Sequence, residues 1–153
     1  KLNLAELVAD RLSYFAEECQ KSRLQVYTAV DRDLFIEADR EEILRLLGHL
    51  IGNAVKYNRA DGSVTVSARR DGHYVEIQVA DTGIGMTAEE TSRLFEDFFR
   101  AKNKYTRTIT GTGLGLTIVK KIVDAYAGII EVESEFEVGT VFRVRLPIQD
   151  NLN

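Results

Sequence analysis

Apolar residues recur at spacings of three and four near the start of the chain, at Leu4, Leu7, Val8, Leu12, Phe15, Ala16 and Cys19. That rhythm predicts one amphipathic helix whose stripe, Cys19 included, faces a core. Leu24–Val30 and Leu34–Ala38 then read as short strands around a polar turn. A second helix is expected from Asp39, which can cap it ahead of Glu41 and Glu42, to about Tyr57, where Asn58, Asp61 and Gly62 make a turn cluster. Val64, Val66 and Ala68 alternate in one strand, and Val75, Ile77 and Val79 in the next. Asp71-Gly72 between them signals a hairpin. A short helical piece follows at Ala88–Phe95, then an aperiodic loop at Ala101–Thr110 that carries Lys102, Lys104 and Arg107. Leu116, Ile118, Val119, Ile122, Val123 and Tyr126 form the stripe of a further helix ending near Gly128, and Ile129–Glu135 with Thr140–Leu146 makes a last hairpin turning at Val138-Gly139. Hairpins mixed with helices predict an α/β two-layer sandwich with a mixed sheet rather than a doubly wound parallel one.

Composition narrows the class. With 153 residues, 44% of them hydrophobic, the chain has material for one domain and one core. No apolar run reaches the roughly 18–20 residues of a membrane span, and the first residues do not read as a signal peptide. A single cysteine excludes an internal disulfide and a multi-cysteine zinc site, and two histidines argue against a histidine-rich metal site. A net charge of -4 argues against a nucleic-acid surface. The most distinctive local patterns nevertheless suit a polyanion.

The first is a polar stripe on the second helix. His49, Asn53 and Lys56 follow at steps of four and three, beside the mid-helix glycines Gly48 and Gly52. An amide oxygen suits a hard cation and an ammonium suits phosphate, and mid-helix glycine implies close approach by something. A plain solvated helix face is the competing reading. The second is Asp81-Thr82-Gly83-Ile84-Gly85, a carboxylate at a strand mouth beside exposed backbone. It can accept from an exocyclic amine while the glycines admit a flat ring; a capped tight loop is the alternative. The third, Gly111-Thr112-Gly113-Leu114-Gly115-Leu116, runs straight into a helix, so its N–H groups can form an anion cradle. Neither a P-loop lysine nor the third glycine of a dinucleotide fingerprint is in place.

Taken in order, Asn53-Ala54-Val55-Lys56-Tyr57, Asp81 to Met86, Phe95-Glu96-Asp97-Phe98-Phe99-Arg100, Gly111 to Leu116 and Glu137-Val138-Gly139-Thr140 resemble the N box, first glycine box, F box, second glycine box and final glycine turn of bacterial sensor histidine kinases. The match spans about Leu2 to Pro147. The resemblance implies the Bergerat (GHKL) fold, a mixed, mostly antiparallel sheet covered on one face by about three helices, forming a single catalytic domain. It implies ATP and Mg²⁺ as ligands. Asn53 would hold the metal, Lys56 and Arg100 would reach phosphate, and Tyr57 and Phe98 would flank the nucleotide. Asp81 would take the adenine amine in a pocket shaped by Gly83, Gly85 and Met86 with Thr140 nearby. Gly111, Thr112, Gly113, Leu114, Gly115 and Leu116 would hold phosphates, with residues 101–110 as a lid.

One position departs from the family pattern. Where the N box usually has Asn, this chain has His49, which can still donate to a phosphate. Relatives that hydrolyse ATP carry a Glu there as general base, so a neutral His argues against efficient hydrolysis. His49 and His73 both lie outside the helical, acid-followed setting of a phosphoacceptor. The resemblance therefore implies a protein-histidine kinase domain that passes the γ-phosphoryl group to a separate dimerisation and phosphoacceptor domain, with a response regulator receiver downstream. It further implies a cytoplasmic position in a homodimeric parent that can carry a membrane anchor. A GHKL ATPase, an anti-sigma-type serine kinase and a degenerate docking domain are the competing functions.

Overall fold

The structure, a computed structural model, describes residues 1–96 and 115–148. The expectations for Phe98, Arg100, the 101–110 lid and Gly111, Thr112, Gly113 and Leu114 lie outside the described residues. In chain order the elements are β1 (Leu2–Asn3), α1 (Leu4–Tyr14), α2 (Ala16–Lys21), β2 (Gln25–Val30), β3 (Phe35–Ile36), α3 (Arg40–Lys56), β4 (Ser63–Asp71), β5 (Tyr74–Asp81), α4 (Ala88–Ser92), α5 (Gly115–Ala125), β6 (Ile129–Glu135) and β7 (Gly139–Pro147). The main sheet runs β2-β4-β5-β7-β6. β2 lies parallel to β4, and the remaining neighbours are antiparallel. The expected mixed sandwich is what the chain forms.

Alternation in the strands decides which face is covered. Val64, Val66 and Ala68 of β4, Val75, Ile77 and Val79 of β5, and Phe142, Val144 and Leu146 of β7 all point into one core. α3 covers β4 and β5, α5 packs on α3 and β6, and α1 packs on α3. α3 is the keystone, since Ile43, Leu46, Leu47, Leu50 and Ile51 are fully buried. Full burial of such a side chain contributes about 1.5–3 kcal/mol, and truncating one to alanine costs about 2–5 kcal/mol. Asp39 caps α3 as expected, its Oδ1 accepting from the Glu42 N–H at 3.1 Å. Its own N–H donates to Tyr126 Oη at 2.9 Å, which ties the start of α3 to the end of α5. α4 begins with a capping box between Thr87 and Glu90, a device its sequence signature could have disclosed.

Three expectations change in detail. The single N-terminal helix is two, broken at Phe15, whose backbone leaves the helical region at φ −97°, ψ 8°. Spacing alone hides the break because the apolar rhythm continues across it; Cys19 is still buried in α2, whereas Ala16 is exposed. The expected strand at Leu34–Ala38 shrinks to Phe35–Ile36 and pairs with β1 outside the main sheet. Of the close approaches implied by Gly48 and Gly52, the one at Gly52 comes from the protein itself, while Gly48 has only an ordinary contact. A Cβ on Gly52 would lie 3.0 Å from Phe15 Cζ, and one on Gly48 would lie 3.7 Å from Arg11 Cδ.

Candidate functional site

Asp81 owes its place to strand parity. Val75, Ile77 and Val79 turn inward on β5, so Asp81 continues the inward row one step past the apolar core. The register sets it opposite Val64 of β4 and Thr140 of β7, and Thr140 is buried. The carboxylate accepts the Gly83 N–H at 2.8 Å and a second backbone N–H from Thr140. Burial outweighs those two bonds and pushes the carboxyl up to about 6. It is a hydrogen-bond acceptor held where water is scarce.

The loop after Asp81 is welded to the end of α3. Ile84 N–H donates to the Tyr57 carbonyl at 3.0 Å, and a Cβ on Gly83 would lie 2.3 Å from that same oxygen. Only glycine permits this approach, so Gly83 locks the Asn53–Tyr57 turn against Asp81. On the other side, Gly85 (φ +63°) leaves space for the Glu135 carbonyl, from which a Cβ would be 1.9 Å. The Met86 N–H donates to Ser134 Oγ at 2.8 Å, and that oxygen is 2.8 Å from Thr140 Oγ1. Asp81, Gly83, Gly85, Met86 and Thr140 therefore lie together.

The polar stripe of α3 opens onto a cleft of about 450 Å³, walled by His49, Asn53 and Lys56 on one side and by Phe15, Glu18 and Ser22 of the α1–α2 corner on the other. The Lys56 ammonium sits 5.4 Å from the centre of the Tyr57 ring. Burial, reinforced by the Arg45 guanidinium, holds the His49 imidazole below its ordinary value, so it is neutral at pH 7. Gly115, the first residue of α5, lies against this imidazole, which brings the described end of the second glycine box to the stripe. Leu116 follows it on the half-buried first turn.

Sequence reasoning missed one participant. Arg59 Nη2 donates to the Gly83 carbonyl at 3.0 Å and also to the Glu137 carbonyl. An arginine in a turn cluster carries no local signal, because its partners are 24 and 78 residues away. Glu137 itself adopts φ +68° and donates its N–H to the Ile84 carbonyl at 2.6 Å, so loop and turn are also joined directly.

Residues 38–150 match the model of the histidine kinase-, DNA gyrase B- and HSP90-like ATPase family, and the chain belongs to that family. It is 35% identical to the sensor histidine kinase RcsC of Escherichia coli over 130 residues, which cover 84% of this chain and 14% of that protein. Against the sensor histidine kinase WalK of Bacillus subtilis it is 37% identical over 122 residues, 78% of this chain and 20% of WalK. The chain thus spans a fifth or less of these two relatives' length. The nucleotide-free catalytic domain of the histidine kinase ThkA superposes with a TM-score of 0.83 at 30% identity, covering 96% of this chain and 93% of that one. Full-length ShkA in complex with AMPPNP also gives 0.83, at 29% identity, over 96% of this chain and 30% of that one. The sandwich described above is the fold of histidine kinase catalytic domains.

Proposed function

We propose that this chain binds Mg²⁺–ATP and presents its γ-phosphoryl group to a histidine imidazole on a helical dimerisation segment of the same parent protein. The observation that carries the reading is the weld between Tyr57 and Gly83. It ties the loop that follows a base-type acceptor, Asp81, to the end of the helix that carries a phosphate-type stripe, His49–Asn53–Lys56. The solved complex of ShkA with AMPPNP supports nucleotide binding by this fold, and that of ThkA with the response regulator TrrA supports a receiver-domain partner.

Asp81 would accept the exocyclic amine of adenine, with Thr140 and the Gly83–Met86 loop walling the ring. Lys56 and the neutral His49 would donate to phosphate oxygens, and the α5 N-terminus would add backbone N–H groups. Arg100 and the Gly111–Leu114 cradle are proposed to complete the phosphate shell. The chemistry of the cleft wall fits a hard cation, since the Asn53 carboxamide and the Glu18 carboxylate both line it and both offer oxygen. When bound there through Asn53, Mg²⁺ supplies neutralisation of phosphate charge. The side chains position the nucleotide; the incoming imidazole nitrogen forms the new N–P bond as the bond to the β-phosphate oxygen breaks, and ADP leaves. A neutral imidazole has the lone pair that this attack requires.

The test is transfer of label from γ-labelled ATP with and without the separately expressed dimerisation helices. Acid-labile phosphate on a histidine of those helices, lost with Asn53→Ala, is the expected outcome. Rapid free-phosphate release with no acceptor present would replace this reading with an ATPase.

A further inference from the structure

The base-side loop and the β6–β7 turn face each other with two carbonyls, those of Gly83 and Glu137, aimed at the same point. Carbonyl oxygens brought this close repel, and the part-buried Gly83 oxygen needs a donor. Arg59 Nη2 carries two hydrogens and meets both oxygens at once. Gly83 is also the residue whose N–H holds Asp81 Oδ1 at 2.8 Å. On the far side Gly139 presses on the Asp81 carbonyl, from which a Cβ at Gly139 would lie 2.1 Å. The guanidinium therefore grips both peptide segments that fix where the Asp81 carboxylate points, without touching that carboxylate.

We infer that Arg59 is a positioning residue for nucleotide recognition, setting the Asp81 carboxylate and the Thr140 wall by clamping the Gly83 and Glu137 carbonyls together. This rests on the assignment of Asp81 to the adenine amine. The clamp joins segments that are otherwise held by the Glu137 N–H to Ile84 carbonyl bond, by the Met86 N–H to Ser134 Oγ bond and by glycine contacts. Losing a cationic donor to two carbonyls should loosen the loop without unfolding the sheet, because the β5–β7 ladder remains. Lysine keeps the charge and three donors but lacks the planar fork, so it restores part of the effect.

The experiment is calorimetric titration of Mg²⁺–ATP into the wild-type chain, Arg59→Ala, Arg59→Lys and Asp81→Asn, paired with amide hydrogen exchange on the nucleotide-free proteins. Arg59→Ala should weaken ATP binding about tenfold, as expected for a lost charge-assisted hydrogen bond, with Arg59→Lys in between. Faster exchange in this variant should be confined to residues 82–86 and 135–140. If Arg59→Ala binds ATP like wild type while Asp81→Asn does not, Arg59 has no positioning role. Exchange accelerated throughout the chain would reduce Arg59 to a general stabiliser and overturn the inference. Wild-type affinity in Asp81→Asn would instead remove the base-pocket assignment itself.

Discussion

Gly115 lies against the imidazole of His49, and a Cβ at position 115 would fall 3.0 Å from His49 Nδ1. Two segments 66 residues apart in the chain thus meet at the polar stripe of α3, with hydrogen replacing a side chain at the point of contact. Gly115→Ala should force the imidazole aside. The cost should be about 1 kcal/mol greater with His49 present than in a His49→Ala background, the coupling expected of residues in contact. A double-mutant cycle by urea denaturation measures it, and additivity would mean that the contact is loose.

Asp81 should impose a pH dependence on stability. Its folded-state value lies near 6 against 3.8 for the free group, so between those values the folded chain holds a proton that the unfolded chain has released. Stability contributed by this residue therefore falls as pH rises through about 4 to 6 and stays low above it. Asp81→Asn keeps an oxygen for the Gly83 N–H and removes the buried charge. It should stabilise the nucleotide-free chain by about 1–3 kcal/mol at pH 8 and much less at pH 4. Urea melts at the two pH values decide it; an increment independent of pH would sink the argument.

Gly85 and Gly72 share almost the same backbone, φ +63° and +61°, but not the same surroundings. Around Gly72 nothing lies within 4 Å of a would-be Cβ, whereas at Gly85 the Glu135 carbonyl is 1.9 Å away. Gly72→Ala should cost only the left-handed penalty of about 1–2 kcal/mol. Gly85→Ala should add a backbone clash that no rotamer relieves and cost more than about 4 kcal/mol. Equal shifts in thermal midpoint for the two variants would contradict this.

Gly48 and Gly52 separate helix propensity from packing. At Gly48 the nearest atom to a Cβ is Arg11 Cδ at 3.7 Å, an ordinary contact, so Gly48→Ala should stabilise by about 0.5–1 kcal/mol. Gly52→Ala meets the Phe15 ring at 3.0 Å, and the displaced ring should cancel that gain. Chemical denaturation of both variants checks the contrast.

The period of two in β4, β5 and β7 and the period near four in α3 were readable along the chain because each reports a face turned from water. The order of the glycine motifs was equally readable, and with it the family. The break at Phe15 was not, since the apolar spacing runs on across it, and nor was the seat of its ring against Gly52 of α3. Nor could local pattern disclose Arg59, whose meaning is two carbonyls brought from distant segments. The acidic balance excluded a basic nucleic-acid face yet left open a local cluster of Lys56, His49 and backbone N–H groups.

By itself, then, the amino-acid order determined the elements, the buried face and the residue types available for chemistry, because hydrophobic burial and capping act over a few neighbouring residues. Only the tertiary structure decided that the loop after Asp81 packs on the Tyr57 carbonyl, that Gly115 meets His49 and that burial pushes the Asp81 carboxyl up to about 6. Those properties come from desolvation and backbone approach between segments, and neither exists until the sheet and α3 have packed.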